Sequence, residues 1–306
     1  MNAGRFAPSP SGELHVGNLR TAVLAWCFAR RTGRSFIVRM EDLTTEAPGD
    51  HARSQIDDLA ALGIRSDVPV VFQSERLELY RDAISALSGA GLTYECWCTR
   101  REIREAVRAP HGANTTTAYP GTCARLGSAE RARRAASGRP AAIRLRAGGE
   151  SVEVHDGTGR TVRAEVDDFV LQRGDGMPAY NLAVVVDDAD QGVDQVVRGD
   201  DLLATTPRQV LLTRLLGLRE PSYLHVPLVV GPDGERLAKR HGAVTLAQLR
   251  ARGVDEGRLL GMLAESLGVP CANGGATLED IRGAVDPENL GAAWEFDPTS
   301  LDTTVV

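Results

Sequence analysis

Apolar and polar positions alternate along the first ninety residues in a way that changes period several times. Arg5, Phe6 and Ala7 close a short apolar segment with the look of a strand, and Pro8-Ser9-Pro10-Ser11-Gly12 breaks it with a turn. Leu19, Val23, Trp26 and Cys27 then recur at three- and four-residue spacing, which predicts a helix stopped at Gly33. Ser35 to Asp42 reads as a strand. Asp50 can cap a helix bearing Ile56, Leu59 and Leu62, with Gly63 as its stop; Val68 to Phe72 is strand-like; Tyr80, Ile84 and Leu87 mark a helix that ends at Gly91. This β-α-β-α alternation predicts an α/β fold with a parallel, doubly wound sheet, in which ligands bind at the carboxyl ends of the strands.

The rhythm breaks near Cys96. Short strands are expected at Val152 to His155 and Thr161 to Val166, turned by Gly157-Thr158-Gly159. From Tyr180 the alternation returns, with a helix to Val186, a strand at Gln195 to Val197, a helix from Pro207 to Leu216 and a strand at Tyr223 to Val226. Pro232-Asp233-Gly234 turns into a basic loop through His241, and beyond it Leu246, Leu249, Leu259, Leu260, Leu263 and Leu267 fall at helical spacing. The expected division is therefore a first half-sheet at 1–92, an α+β insertion at 93–166, a second half-sheet at 167–235, and a basic loop with a helical region at 236–306.

Composition adds limits. A chain of 306 residues with 42% hydrophobic and 25% charged residues is ordinary for a globular protein of about two units and excludes a disordered or collagenous chain. The longest apolar run, Leu182 to Val186, is far below the ~20 residues of a spanning helix, and the sequence opens without a secretory signal. A cytoplasmic protein without a membrane partner is expected. The net charge of −6 argues against uniform attraction to nucleic acid, but Arg125, Arg131, Arg133, Arg134, Arg139, Arg144 and Arg146 crowd into one stretch, as either a solvated helix face or a phosphate-binding patch.

Candidate chemistry sits in two places. The turn after Ala7 delivers His15, Gly17 and Asn18 to a helix N-terminus, where unpaired backbone N–H groups and a partial positive charge favour a phosphate. Gly17 has no Cβ to keep a ligand away from the backbone. Cys27 and Cys271 read as core residues, whereas Cys96 and Cys98 form a C-x-C pair with Tyr119 and Cys123 downstream; three sulfurs and a phenolate can complete a tetrahedral zinc site, and buried unliganded cysteines are the other reading.

Five motifs taken in order resemble the class I glutamyl-tRNA synthetases: residues 5–18, Arg39-Met40-Glu41-Asp42, Tyr180 to Asp188, Val197 to Leu202, and Arg236 to Gly242. His15-Val16-Gly17-Asn18 is similar to their first signature, and Arg236-Leu237-Ala238-Lys239-Arg240 to the lysine-bearing second, with Ala238 where that family usually has serine. With only a short tail after Gly268, no anticodon-binding domain is expected. Together with Cys96, Cys98, Tyr119 and Cys123, this resembles the truncated paralogue family, the glutamyl-Q tRNA(Asp) synthetases.

The resemblance implies a class I synthetase Rossmann-like sheet split by a zinc-bearing insertion, and a ligase that joins L-glutamate to the queuosine base at the wobble position of tRNA(Asp) through glutamyl-adenylate. It implies ATP contacts at His15, Gly17, Asn18 and Lys239, with His15 and Lys239 catalytic and Mg²⁺ arriving with ATP. It implies a glutamate pocket of Arg5, Phe6, Ala7, Pro8, Ser9, Glu41, Tyr180 and Arg198, and one structural zinc on Cys96, Cys98, Tyr119 and Cys123. Arg5, Arg198 and Glu41 supply the two cations and one anion that an amino acid with two carboxylates and an ammonium requires. A monomer is expected. A compact enzyme charging tRNA(Glu) and a non-catalytic tRNA-binding paralogue are the alternatives.

Overall fold

A computed structural model of the chain describes residues 2–43, 51–107, 119–237, 244–271 and 274–297. The first half-sheet comprises β1 (Ala3–Phe6), α1 (Val16–Arg31), β2 (Ser35–Met40), α2 (His51–Ala61), β3 (Val71–Phe72) and α3 (Leu77–Gly89). The middle of the chain gives β4 (Thr93–Cys96), α4 (Arg100–Val107), α5 (Ser128–Ala135), β5 (Ala142–Leu145), β6 (Ser151–His155), β7 (Thr161–Glu165) and β8 (Val170–Gln172). Then follow α6 (Tyr180–Asp190), β9 (Val193–Gly199), α7 (Thr206–Leu215), β10 (Ser222–Val226), β11 (Val229–Val230), α8 (Leu246–Ala251), α9 (Glu256–Glu265), α10 (Leu278–Ala284) and β12 (Trp294–Glu295).

Five strands make one parallel sheet in the order β10-β9-β1-β2-β3, so the α/β expectation holds and the two halves meet where β1 pairs β9. Its two faces bury different things. Phe6, Phe36, Val38, Met40, Val197, Leu224 and Val226 face a core built with α1, α2 and the C-terminal helices. Ala3, Ile37, Val196 and Tyr223 face a second core built with α3, α6, α7 and the β6–β7 hairpin. The middle of the chain adds an antiparallel sheet, β4-β5-β8, and that hairpin.

Three elements differ from expectation for identifiable reasons. The strand expected at Val68 to Phe72 pairs only at Arg39↔Val71 and Met40↔Phe72. Ahead of that, Ser66 Oγ and Asp67 Oδ2 accept from the Val38 and Phe36 amides at 3.1 and 2.9 Å, and Pro69 has no N–H to offer a ladder. Helix α6 runs past Val186 to Asp190, with Asp187 and Asp188 buried against arginines. The strand at Gln195 to Val197 extends to Val193–Gly199. The cap at Asp50 lies outside the described residues. Gly33, Gly63 and Gly91 each follow their helix at positive φ, as the sequence requires.

Candidate active site

Strand register puts the polar side chains in one place. Arg5 pairs with Ile37 and with Val196, and His225 pairs with Arg198. Side chains alternate along a strand, so Arg39, Arg5, Arg198 and His225 share one face; Arg5 stands in the row of Ile37, Val196 and Tyr223, and the other three stand one step beyond it. They stand at the carboxyl end of the sheet, beneath a cavity of about 840 Å³. That volume is within the roughly 300–1,000 Å³ of small-molecule sites.

The cavity is lined by Phe6, Ala7, Pro8, Ser9, His15, Gly17, Asn18, Glu41 and Tyr180 among others. His15 is the N-cap of α1. Its Nδ1 accepts from the Gly17 amide at 3.1 Å, and Asn18 Oδ1 accepts from the His15 amide at 3.2 Å. Because Nδ1 accepts, the neutral imidazole carries its proton on Nε2. Burial, with the nearby Arg236 charge adding to it, pushes His15 down to about 4, so at neutral pH it is a neutral donor. Gly17 is confined: a Cβ there would lie 3.0 Å from His15 Cε1 and 3.4 Å from Val229 Cβ. Gln55, a buried amide on α2, holds the turn by donating to the Ser9 and Gly12 carbonyls at 3.1 and 2.6 Å.

Arg5 and Arg198 are not wall residues. Each is only 4% exposed and lies directly below the cavity, next in the chain to its wall residues Phe6 and Gly199. Arg5 Nη1 donates to Val197 O at 3.1 Å, while its buried Nε has no hydrogen-bond partner and stands 3.5 Å from Asp188. Arg198 Nη1 reaches Gln209 Oε1 at 2.7 Å and the hydroxyl of Tyr180 at 3.5 Å. Tyr180 is 41% exposed, which leaves its ring available to a ligand. Glu41, on the cavity wall at the end of β2, is the anion and pairs with Arg39. Burial raises its pKa, against the opposing pull of Arg39 and Arg5.

Arg39 has a different position in the charge balance. It is fully buried and meets Asp188 at 2.8 Å, Glu41 at 3.3 Å and Asp187 at 3.6 Å, with Gln191 Oε1 at 2.9 Å. Arg76, the Tyr80 hydroxyl and the Gln73 amide also donate to Asp187. Of the second signature, Arg236 and Leu237 are described, and Ala238 and Lys239 lie outside the described residues.

The Cys96, Cys98 and Cys123 sulfurs lie within 4.8 Å of one another. Tyr119 Oη is 3.4 Å from Cys96 Sγ and 3.6 Å from Cys98 Sγ, so all four residues of the expected set converge. Burial, with the neighbouring sulfurs adding to it, pushes the Cys98 thiol up to about 12, whereas at Cys96 burial is outweighed by hydrogen bonding with Tyr119 and Arg144, which lowers it. Three sulfurs so close cannot all ionise without a cation, and the donor set fits zinc. Cys27 is fully buried, while Cys271 is half-buried against the core.

The arginine stretch divides. Arg144 is buried, with its guanidinium 3.7 Å from the centre of the Tyr119 ring, and is no part of a solvated face. Arg146 lies over Tyr94, and Arg133 and Arg134 on α5 pair with Glu130. Sequence reasoning passed over Gln55, Asp156, Thr206, Gln209 and His225. The signal at Gln55 was a polar residue on the apolar face of its helix, four before Leu59; the others carry none locally.

Comparisons with known proteins give the same outline. A family model described as tRNA synthetases class I (E and Q), catalytic domain, matches residues 3–278. The chain is 60% identical over 268 residues to the glutamyl-Q tRNA(Asp) synthetase of Nocardia farcinica, covering 88% of this chain and 85% of that protein. It is 51% identical over 302 residues to the protein of the same name from Cutibacterium acnes, covering 98% and 85%. Its fold is similar to that of a glutamate tRNA ligase from Elizabethkingia meningosepticum in complex with its amino acid, with a TM-score of 0.82 at 24% identity over 98% of this chain and 68% of that one.

Proposed function

The chain belongs to the class I tRNA synthetases (E and Q), and from that premise we propose that it activates L-glutamate with ATP and transfers it to queuosine at the wobble position of tRNA(Asp). The observation that carries the reading is the meeting, at one cavity, of a helix N-terminus fitted for phosphate with two buried cations and one partly buried anion on the wall.

In the first step the glutamate carboxylate attacks the α-phosphate of ATP and pyrophosphate leaves. The α1 N-terminus, with the Gly17 and Asn18 backbone and the His15 Nε2–H, meets the developing phosphate charge. Lys239, assigned by the resemblance, follows the phosphates from the second signature. Arg5 and Arg198 hold carboxylates from below, Glu41 takes the ammonium, and Ser9 and Tyr180 with Phe6, Ala7 and Pro8 shape the wall. Mg²⁺ would come with ATP and neutralise its phosphates. In the second step a hydroxyl of the queuosine cyclopentene diol attacks the carbonyl carbon of the mixed anhydride; the ester forms as the bond to the phosphate oxygen breaks, AMP leaves and the hydroxyl proton passes to solvent, and because the anhydride is already activated, positioning carries the reaction. Cys96, Cys98, Tyr119 and Cys123 would hold one zinc ion with a structural role, closing the loop between β4 and α5.

The test is incorporation of labelled glutamate, with ATP and Mg²⁺, into two matched tRNA pools, one with queuosine and one without. Label confined to the queuosine pool and surviving removal of the tRNA 3′ end is the expected result. Label in both pools overturns it in favour of conventional charging of tRNA(Glu), and no label together with no pyrophosphate exchange overturns it in favour of a non-catalytic paralogue.

A further inference from the structure

Arg198 is held by neutral groups. Its Nε donates to His225 Nε2 at 3.1 Å, Nη1 to Gln209 Oε1 at 2.7 Å and Nη2 to Thr206 Oγ1 at 2.8 Å, and among the described residues no carboxylate lies within ion-pair distance. A guanidinium can only donate, so His225 Nε2 must accept, and the ring proton is left on Nδ1. That nitrogen stands 2.8 Å from Asp156 Oδ1. The imidazole and the Asp156 carboxylate are both fully buried. The result is a chain from an anion, through a neutral ring of fixed tautomer, to a cation.

Asp156 comes from the turn of the β6–β7 hairpin, which is docked along β10. The Gly157 amide donates to Tyr223 O at 2.7 Å, and the His225 amide donates to Asp156 Oδ1 at 3.0 Å. A carboxylate placed directly on Arg198 would orient it but would also neutralise the charge that a substrate carboxylate needs. An imidazole in between gives the orientation and leaves the charge.

We infer that Asp156 and His225 are positioning residues for glutamate activation, the carboxylate setting the tautomer of the imidazole and the imidazole setting the rotation of Arg198. This rests on the proposed role of Arg198 in binding glutamate. Protonation of His225 would turn Nε2 into a donor against Arg198 Nε. The groups facing the ring are Asp156 and Arg160 from the hairpin turn, Arg198 from β9, Thr206 from α7 and Tyr223 on its own strand. Burial lowers its pKa, against the opposing pull of Asp156, and keeps it neutral.

The experiment measures KM for glutamate and KM for ATP in glutamate-dependent ATP–pyrophosphate exchange, using the full chain and its His225→Phe, His225→Gln and Asp156→Asn variants. His225→Phe removes the acceptor and raises KM for glutamate by about tenfold or more, the scale of one lost hydrogen bond to a charged group, while KM for ATP stays within about twofold. The glutamine oxygen of His225→Gln restores an acceptor and most of the affinity. Should the phenylalanine variant fail to fold, Asp156→Asn gives the same split in weaker form. Long-range ¹H–¹⁵N spectra of histidine-labelled protein show His225 protonated on Nδ1. An unchanged KM for glutamate in folded variants, an equal rise in both KM values, or the opposite tautomer overturns the inference alone. A wild-type protein without glutamate-dependent exchange overturns the functional reading and this inference with it.

Discussion

Arg39 and Arg198 carry the same guanidinium on the same face of the same sheet and do opposite work. Arg39 is compensated by Asp188, Glu41 and Asp187, so Arg39→Met strands buried anions and is expected to lower unfolding free energy by about 3–5 kcal/mol in urea titration. Among the described residues, Arg198 has no carboxylate to strand. Arg198→Met is expected to cost far less stability, and to lose about two orders of magnitude or more in glutamate-dependent exchange. The sequence showed both arginines at strand ends. It could not show which was neutralised, because the carboxylates that decide it lie about 150 residues away on α6. Histidine protonation gives a second prediction. The unfolded chain takes up protons on histidine near pH 6.5, whereas burial holds His15 near 4 and lowers His225. The unfolded state therefore binds more protons as pH falls below 6.5, and melting temperature is expected to drop from pH 6.5 toward pH 4, less steeply in His15→Gln.

Elements were legible where their ends were marked by local chemistry. Gly33, Gly63 and Gly91 punctuated three helices correctly, and the Gly157 to Gly159 turn placed a hairpin. Elements whose ends depend on distant partners were not: α6 continues because arginines from β1, β2 and the segment before α3 bury its aspartates, and β3 is short because Ser66 and Asp67 replace the ladder. The sheet β4-β5-β8 was missed, since its strands are three or four residues long and pair across gaps of tens of residues. Close approach of elements supplies a prediction at this scale. A Cβ on Gly261 would stand 2.3 Å from Gly274 O, where backbone meets backbone and no side chain can swing away. Gly261→Ala is expected to push α9 off that loop and cost about 1–3 kcal/mol in thermal or urea unfolding.

At the scale of the molecule, the cavity and the cysteine cluster belong to different sheets, joined through Asp167, which accepts from the Tyr119 amide at 2.9 Å and pairs with Arg208 on α7. Removal of the proposed zinc by a chelator is expected to expose the segment around Cys98 and Cys123 to proteolysis while most glutamate-dependent exchange persists; simultaneous loss of both would show that the two sheets stand or fall together. The α/β class and the expectation of a ligand cavity at the strand ends were readable from periodicity alone, but the strand order was not. That order has a consequence for synthesis. Arg5 and Val197, hydrogen-bonded across β1 and β9, are 192 residues apart. At roughly 5–20 residues per second a ribosome needs about 10–40 s to make the intervening chain. Throughout that interval β1 is an open edge, the central strand of the finished sheet exposed on one side to any other nascent chain. Folding in the cell is thus timed by translation of β9, and a message cut before Val193 yields a half-sheet whose unpaired edge invites aggregation or capture by a chaperone.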